Sequence, residues 1–93
     1  MNVNIFNSLN IDFRINEIFV FGNHSIQSDI DVLIISDDFA NISRTKRKML
    51  IKKSSDKLDP ICLTTKEFNK LKSSKSSLWN KISTQGQRIK YER

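Results

Sequence analysis

Residues 19–38 read FVFGNHSIQSDIDVLIISDD, and no other stretch restricts the fold as tightly. An apolar run of strand length, EIFVF, stops at Gly22, and DIDVLII is β-branched and apolar after its aspartates. Both patterns predict buried strands joined by a short turn. Strand side chains alternate between faces, so Asp29 and Asp31 point the same way, roughly 6–7 Å apart at about 3.3 Å per residue. Two carboxylates sharing one site repel each other and cost folding energy unless a cation or a hydrogen-bond donor offsets them. Divalent magnesium does so through oxygen ligands, taking one or two carboxylates together with substrate phosphates.

The remainder of the chain supplies helices and two further strands. Ile5, Phe6, Leu9 and Phe13 fall at near-helical spacing, which predicts a short amphipathic helix within residues 1–16 leading into the first strand. Asp37 and Asp38 sit in a polar turn and are not expected to be ligands. Ser43 is placed to cap the helix RTKRKMLIKK, whose inner side is expected from Phe39, Ile42, Met49 and Leu50, with the basic residues outward. LDPICLT reads as a third strand. Pro60 has no N–H for a ladder, which places it at an edge or a strand entry and puts Asp59 near the strand end. An antiparallel neighbour would bring Asp59 within about 5 Å of one of the first pair. Thr64 or Thr65 with Glu67 forms a capping-box start, so Glu67 is a cap partner rather than a catalytic acid. Leu78, Trp79 and Ile82 give the last helix its inner face, with Trp79 in the core or, if the helix packs loosely, in a partner contact. Gly86 ends that helix, and Ile89 and Tyr91 alternate with charges as an edge strand.

Composition narrows the class. A chain of 93 residues is expected to hold one domain, residues 1–93, with one modest core. No apolar run approaches the ~18 residues of a bilayer span, and Met1 is not followed by a basic segment and then an apolar one, so the expected location is the cytoplasm. Cys62 is the single cysteine and lies among apolar strand residues, which reads as a buried structural thiol. Sixteen basic against ten acidic residues give a net charge of +6. That excess steers polyanions such as nucleotides, RNA or an acidic protein surface. Its plainer reading is a solvated helix face.

Gly22 and Asn23, followed by Ser28, Asp29, Ile30, Asp31, Val32 and Leu33, form a strand ending in glycine, a loop, and an S-D-I-D-V-L entry to a second strand. This order resembles the nucleotidyltransferase superfamily of the DNA polymerase beta type, most closely its minimal single-domain members. The family's third carboxylate, on a later strand, matches Asp59, and LWNKISTQGQRIKY resembles the family's last helix, glycine and short strand. The resemblance implies an α/β (α+β) fold, a small mixed sheet of palm type with helices packed on it. It also implies a site in which Asp29, Asp31 and Asp59 are catalytic and hold two magnesium ions, while Gly22, Asn23 and Ser28 bind the nucleotide. Paired ions about 3.5–4 Å apart favour in-line transfer of a nucleoside monophosphate, with pyrophosphate leaving. ATP is the implied donor; with it bound, Lys46, Arg47 or Lys48 would neutralise its triphosphate, and His24 is either an exposed loop residue or a phosphate contact.

Small members are often paired with a helical HEPN-type protein, frequently a toxin, so the implied acceptor is a macromolecule and the implied role an antitoxin. Two features depart from the pattern: Asn23 replaces the family's serine, and the loop HSIQS at residues 24–28 is shorter than usual. Three readings therefore stay open, namely an AMP-transferring enzyme, a catalytically inactive module acting through a protein partner, and an RNA-binding domain using the basic helix. The last lacks aromatic residues along that helix.

Overall fold

A computed structural model describes residues 13–22 and 29–89, and both apolar runs are strands. Strand β1, Glu17–Phe21, pairs antiparallel with β2, Ile30–Ile35. Beyond β2 a single 3-10 turn, Asp37–Phe39, leads to helix α1, Arg44–Ser54, which is capped by Ser43 as its sequence predicts. Strand β3, Leu58–Leu63, follows, then helices α2, Thr65–Ser73, and α3, Ser77–Gln85, and a short strand β4, Gln87–Ile89. The sheet order is β3-β2-β1-β4. This is the expected mixed sheet with helices.

Strand β3 is parallel to β2, where an antiparallel neighbour was expected. The reason is α1: a helix between two strands returns the chain to the end from which it started, so the next strand runs the same way. As its proline predicts, β3 is an edge strand. The carbonyls of Lys57 and Leu63 accept hydrogen bonds from Ile30 and Ser36 on the β2 side. By alternation, the backbone groups of Leu58, Pro60 and Cys62 face outward. Lys52 Nζ donates to the Leu58 carbonyl at 3.2 Å and Arg47 Nη1 to the Cys62 carbonyl at 3.1 Å.

Alternation along the strands fills two cores. Ile18, Val20, Val32 and Ile34 pack with Phe39 and Ile51 under α1, whereas Phe21, Leu33, Ile35 and Leu63 pack with Phe68 and Ile82 under α2 and α3. Burying each such side chain stabilises the fold by about 1.5–3 kcal/mol. Phe68 is the hinge of an aromatic stack, 5.6 Å from Phe19 and 5.8 Å from Trp79 between ring centroids. Trp79 is half-buried at its rim.

Two expectations need correction. Residues 13–16 are not helical; Asn16 N–H donates to Ile35 O at 2.7 Å and prolongs the β1–β2 pairing. Ile5, Phe6 and Leu9 of the predicted helix lie outside the described residues, as does Tyr91. The inner side of α1 also differs: Met49 is 64% exposed, and the buried residues are Arg47 and Ile51. Residues four apart share a helix face, which joins 47 to 51 and turns 49 away.

Arg47 is buried with two carbonyls and a carboxylate gathered around its guanidinium. Its Nε meets Ile42 O at 2.7 Å, its Nη1 meets Cys62 O and, at 2.6 Å, Glu67 Oε1, and the guanidinium lies over the Phe39 ring. Glu67 also completes the predicted capping box with Thr64. Helix α3 ends at Gly86, as predicted, although φ is −71°. Glycine is needed there for space, since a Cβ would stand 2.3 Å from Ile82 O.

Burial opposes ionisation of Glu67, but hydrogen bonds from Thr64 and Arg47 outweigh it and hold the carboxyl below the usual 4.5. A depressed folded pKa contributes stability above the unfolded value and loses it as pH falls through the folded value. Glu67→Gln should therefore cost roughly 1.5–3 kcal/mol at pH 7, the size of a charged hydrogen bond. In urea melts from pH 7 to 3 the wild type should converge on the variant below about pH 4.3, the ordinary range of glutamate. Parallel curves would exclude the charged role.

Candidate functional site

Backbone register brings the aspartates to one end of the sheet. Asp31, in the central strand, pairs with Phe21 of β1 on one side and Asp59 of β3 on the other. Adjacent strands lie about 4.8 Å apart, so Asp31 and Asp59 are direct neighbours. Asp29 stands just ahead of β2 and is exposed. The parallel pairing thus achieves the adjacency that an antiparallel strand was expected to provide.

Gly22 is tied to Asp31 in two ways. Its φ of +82° is a conformation that residues with a Cβ rarely adopt. A Cβ at this position would also stand 2.5 Å from Asp31 Oδ2, so the carboxylate occupies the space a side chain would fill. Gly22 and Asp31 therefore form one unit, a bare backbone turn with a carboxylate laid across it.

Lysines from α1 reach the other two carboxylates. Lys48 Nζ is 3.1 Å from Asp59 Oδ1, and Lys52 Nζ is 3.8 Å from Asp29 Oδ2. Among the described residues no ion pair reaches Asp31, and no three acidic, histidine or cysteine side chains form a ready-made metal cage. The donor chemistry nevertheless fits a hard cation such as magnesium, since it consists of carboxylate oxygens and the Gly22 cradle leaves Asp31 free of side-chain crowding.

The basic residues divide differently from expectation. Lys46 is exposed, Arg47 is buried in the structural network above and cannot meet a triphosphate, and Lys48 alone of the three stands at the site. Lys52 was grouped with the solvated face, yet its spacing of one helical turn from Lys48 signals a shared row. Lys81 also escaped notice. Its Nζ lies 5.8 Å from the ring centroid of Phe21, the cross-strand partner of Asp31. Nothing in its local pattern marks it, because α3 reaches that end of the sheet only through tertiary packing. Asn23, His24 and Ser28 lie outside the described residues.

Other polar candidates have structural partners. Asp37 accepts the Thr65 N–H and Asp38 the Arg14 N–H, which fits their reading as turn residues. Burial pushes the Cys62 thiol up to about 12 against the pull of Arg47 and Lys48, leaving it inert as a nucleophile. A cavity of about 430 Å³ flanks β3 between Ile61, Leu63, Leu71 and Leu78, with Arg44 and Lys70 at its rim. None of the three aspartates lines it.

A glycine turn against a strand aspartate, with a second carboxylate in register beside it, is the arrangement the sequence resemblance implied. The family model described as a nucleotidyltransferase domain matches residues 5–90. The chain belongs to that family. A solved structure similar to this nucleotidyltransferase domain is the crystal structure of the toxin-antitoxin MntA-HpeT in a mutant form. It aligns with a TM-score of 0.57 at 24% identity, over 100% of this chain and 75% of that one. Likeness at that identity establishes the shared fold. No curated protein matches the chain.

Gly22→Ala should destabilise the domain by at least about 1 kcal/mol from the left-handed backbone alone, with a further penalty from the Asp31 carboxylate. In the Asp31→Ala background the second part should vanish. Urea melts of the two single variants and the double variant measure this coupling, and strictly additive effects would mean that glycine and carboxylate do not share the space.

Proposed function

We propose that this domain transfers a nucleoside monophosphate, AMP from ATP, to a macromolecular acceptor. The observation that carries the reading is Asp31 laid over Gly22 with Asp59 in register beside it. Asp29, Asp31 and Asp59 are the residues that would hold magnesium, and Gly22 the point where backbone comes close to a phosphate. Bound there, two magnesium ions would supply charge neutralisation on the phosphates and activation of the attacking hydroxyl. The chain's own contribution is positioning: the sheet fixes Asp31 and Asp59 side by side, and Lys81 adds positive charge on the same face. In the reaction an acceptor oxygen bonds to the α-phosphorus in line with the departing pyrophosphate.

The similar MntA-HpeT structure, a toxin-antitoxin pair, favours a protein as acceptor and partner. We extend this to a helical HEPN-type toxin, with the present chain as its antitoxin in the cytoplasm. Among the described residues no helix is long and apolar enough to cross a membrane. A second reading is a binding module without catalysis. The engagement of Asp29 and Asp59 by lysines favours it, as does the short loop at residues 24–28.

Calorimetry separates the two. ATP should bind with magnesium or manganese present and not without, and labelled ATP should modify a macromolecule in lysate of the source cell. Absence of metal-dependent binding at millimolar ATP would leave the binding-module reading.

Asp31→Asn removes one charge from the acidic cluster at constant shape. Without ligand it should be as stable as the wild type or more so, because repulsion is relieved. With magnesium and ATP, the wild type should gain about 2.7 kcal/mol at a hundredfold excess over Kd, and the variant nothing. Thermal melts under both conditions test this; a variant clearly weaker without ligand would make Asp31 a structural hydrogen-bonding residue.

A further inference from the structure

Arg44, Lys48 and Lys52 follow one another at four-residue intervals and so form a row along one side of α1. The row lies along the β3 edge. Arg44 meets Glu67 at 3.6 Å at one end, and at the other Lys48 and Lys52 meet Asp59 and Asp29. The last two contacts fall on carboxylates of the proposed site, although Asp56 is exposed and nearer in sequence to both lysines. We propose that Lys48 and Lys52 are built-in counter-ions that compete with a divalent cation for Asp59 and Asp29 and so set the metal concentration the site responds to. This inference rests on the nucleotidyl-transfer reading, since it takes the three aspartates as cation ligands.

Three observations carry it. First, α1 does not drift: Arg47 is buried and bonded to Ile42, Cys62 and Glu67, so the lysine one residue on is delivered to a fixed place. Second, both pairs are open to water, with side-chain exposures of 50% and 47% for Lys48 and Asp59. An exposed pair is held weakly enough for a doubly charged ion to displace it. Third, the two lysines are unequal. Lys52 is also bonded to the Leu58 carbonyl, whereas among the described residues Lys48 has the aspartate alone, so Lys48 is the ammonium that exchanges. Asp31, which no described cation pairs, offers the entering ion its first ligand.

Manganese is the probe, followed by electron paramagnetic resonance of the free ion during titration of the whole apo chain at low salt. Lys48→Met keeps the aliphatic stem and removes the ammonium. Its affinity for manganese should exceed that of the wild type about three- to fivefold, the free energy of an exposed ion pair expressed as a binding ratio. Lys48→Arg should match the wild type. Lys46→Met, the same charge change at an exposed position of the same helix, should show less than half the gain and corrects for long-range attraction. If the wild type binds manganese and Lys48→Met binds no tighter than Lys46→Met, the competition is refuted while the site stands. If none of the four proteins binds manganese, the site itself falls and the inference with it.

Discussion

The Arg47 guanidinium holds the architecture together. It joins the segment before α1, the outer edge of β3 and the cap of α2, through Ile42, Cys62 and Glu67 respectively. The other polar ties of helix α1 are the Lys52 bond to the Leu58 carbonyl and solvent-exposed ion pairs. Ile51 is its one buried apolar side chain, worth about 1.5–3 kcal/mol, and a single hydrogen bond to a charged group contributes a similar amount. Part of the polar gain offsets the cost of taking the charge out of water. What remains is directional. An apolar stripe would let the helix slide, whereas three hydrogen bonds from one planar group fix its rotation and its height above the sheet.

The site inherits that rigidity. Its carboxylates come from two parallel neighbours in one sheet, and their cationic companions from the crossover helix between those strands. A strand, its crossover helix and the next strand thus form one electrostatic unit. The glycine turn adds what side chains cannot, a surface where a carboxylate rests against bare backbone.

Local signals in the sequence were faithful wherever local physics decides the outcome. The strands at residues 17–21 and 30–35, the Ser43 cap, the Thr64–Glu67 box and the edge position of Pro60 were all readable. So was the approach of Asp59 to one of the first two aspartates, although neither the choice of Asp31 nor the direction of β3 was, because both depend on the return path of α1. Met49 and Arg47 exchanged places for a different reason. Residue type assigned methionine inward and arginine outward, while the helical period around Ile51 demanded the reverse. Arginine can accept such a position only when carbonyls and a carboxylate await it, and those partners come from residues 62 and 67, beyond the helix's own sequence. Lys81 was hidden likewise, by dependence on how α3 lies across β1.

The outer margin of β3 has a bearing on company. Of its three outward backbone positions, Leu58 and Cys62 have their carbonyls occupied by Lys52 and Arg47, and Pro60 carries no N–H. Another strand approaching this margin finds two of its three outward carbonyls already engaged and one N–H missing. Sheets with open margins are templates for fibrils and for partners that bind by strand addition. Here that route is obstructed by Lys52 and Arg47, two basic side chains of α1. With most of the backbone on this side engaged, a protein that meets the domain here reads mainly side chains, and the composition of that surface weighs most in which protein that is.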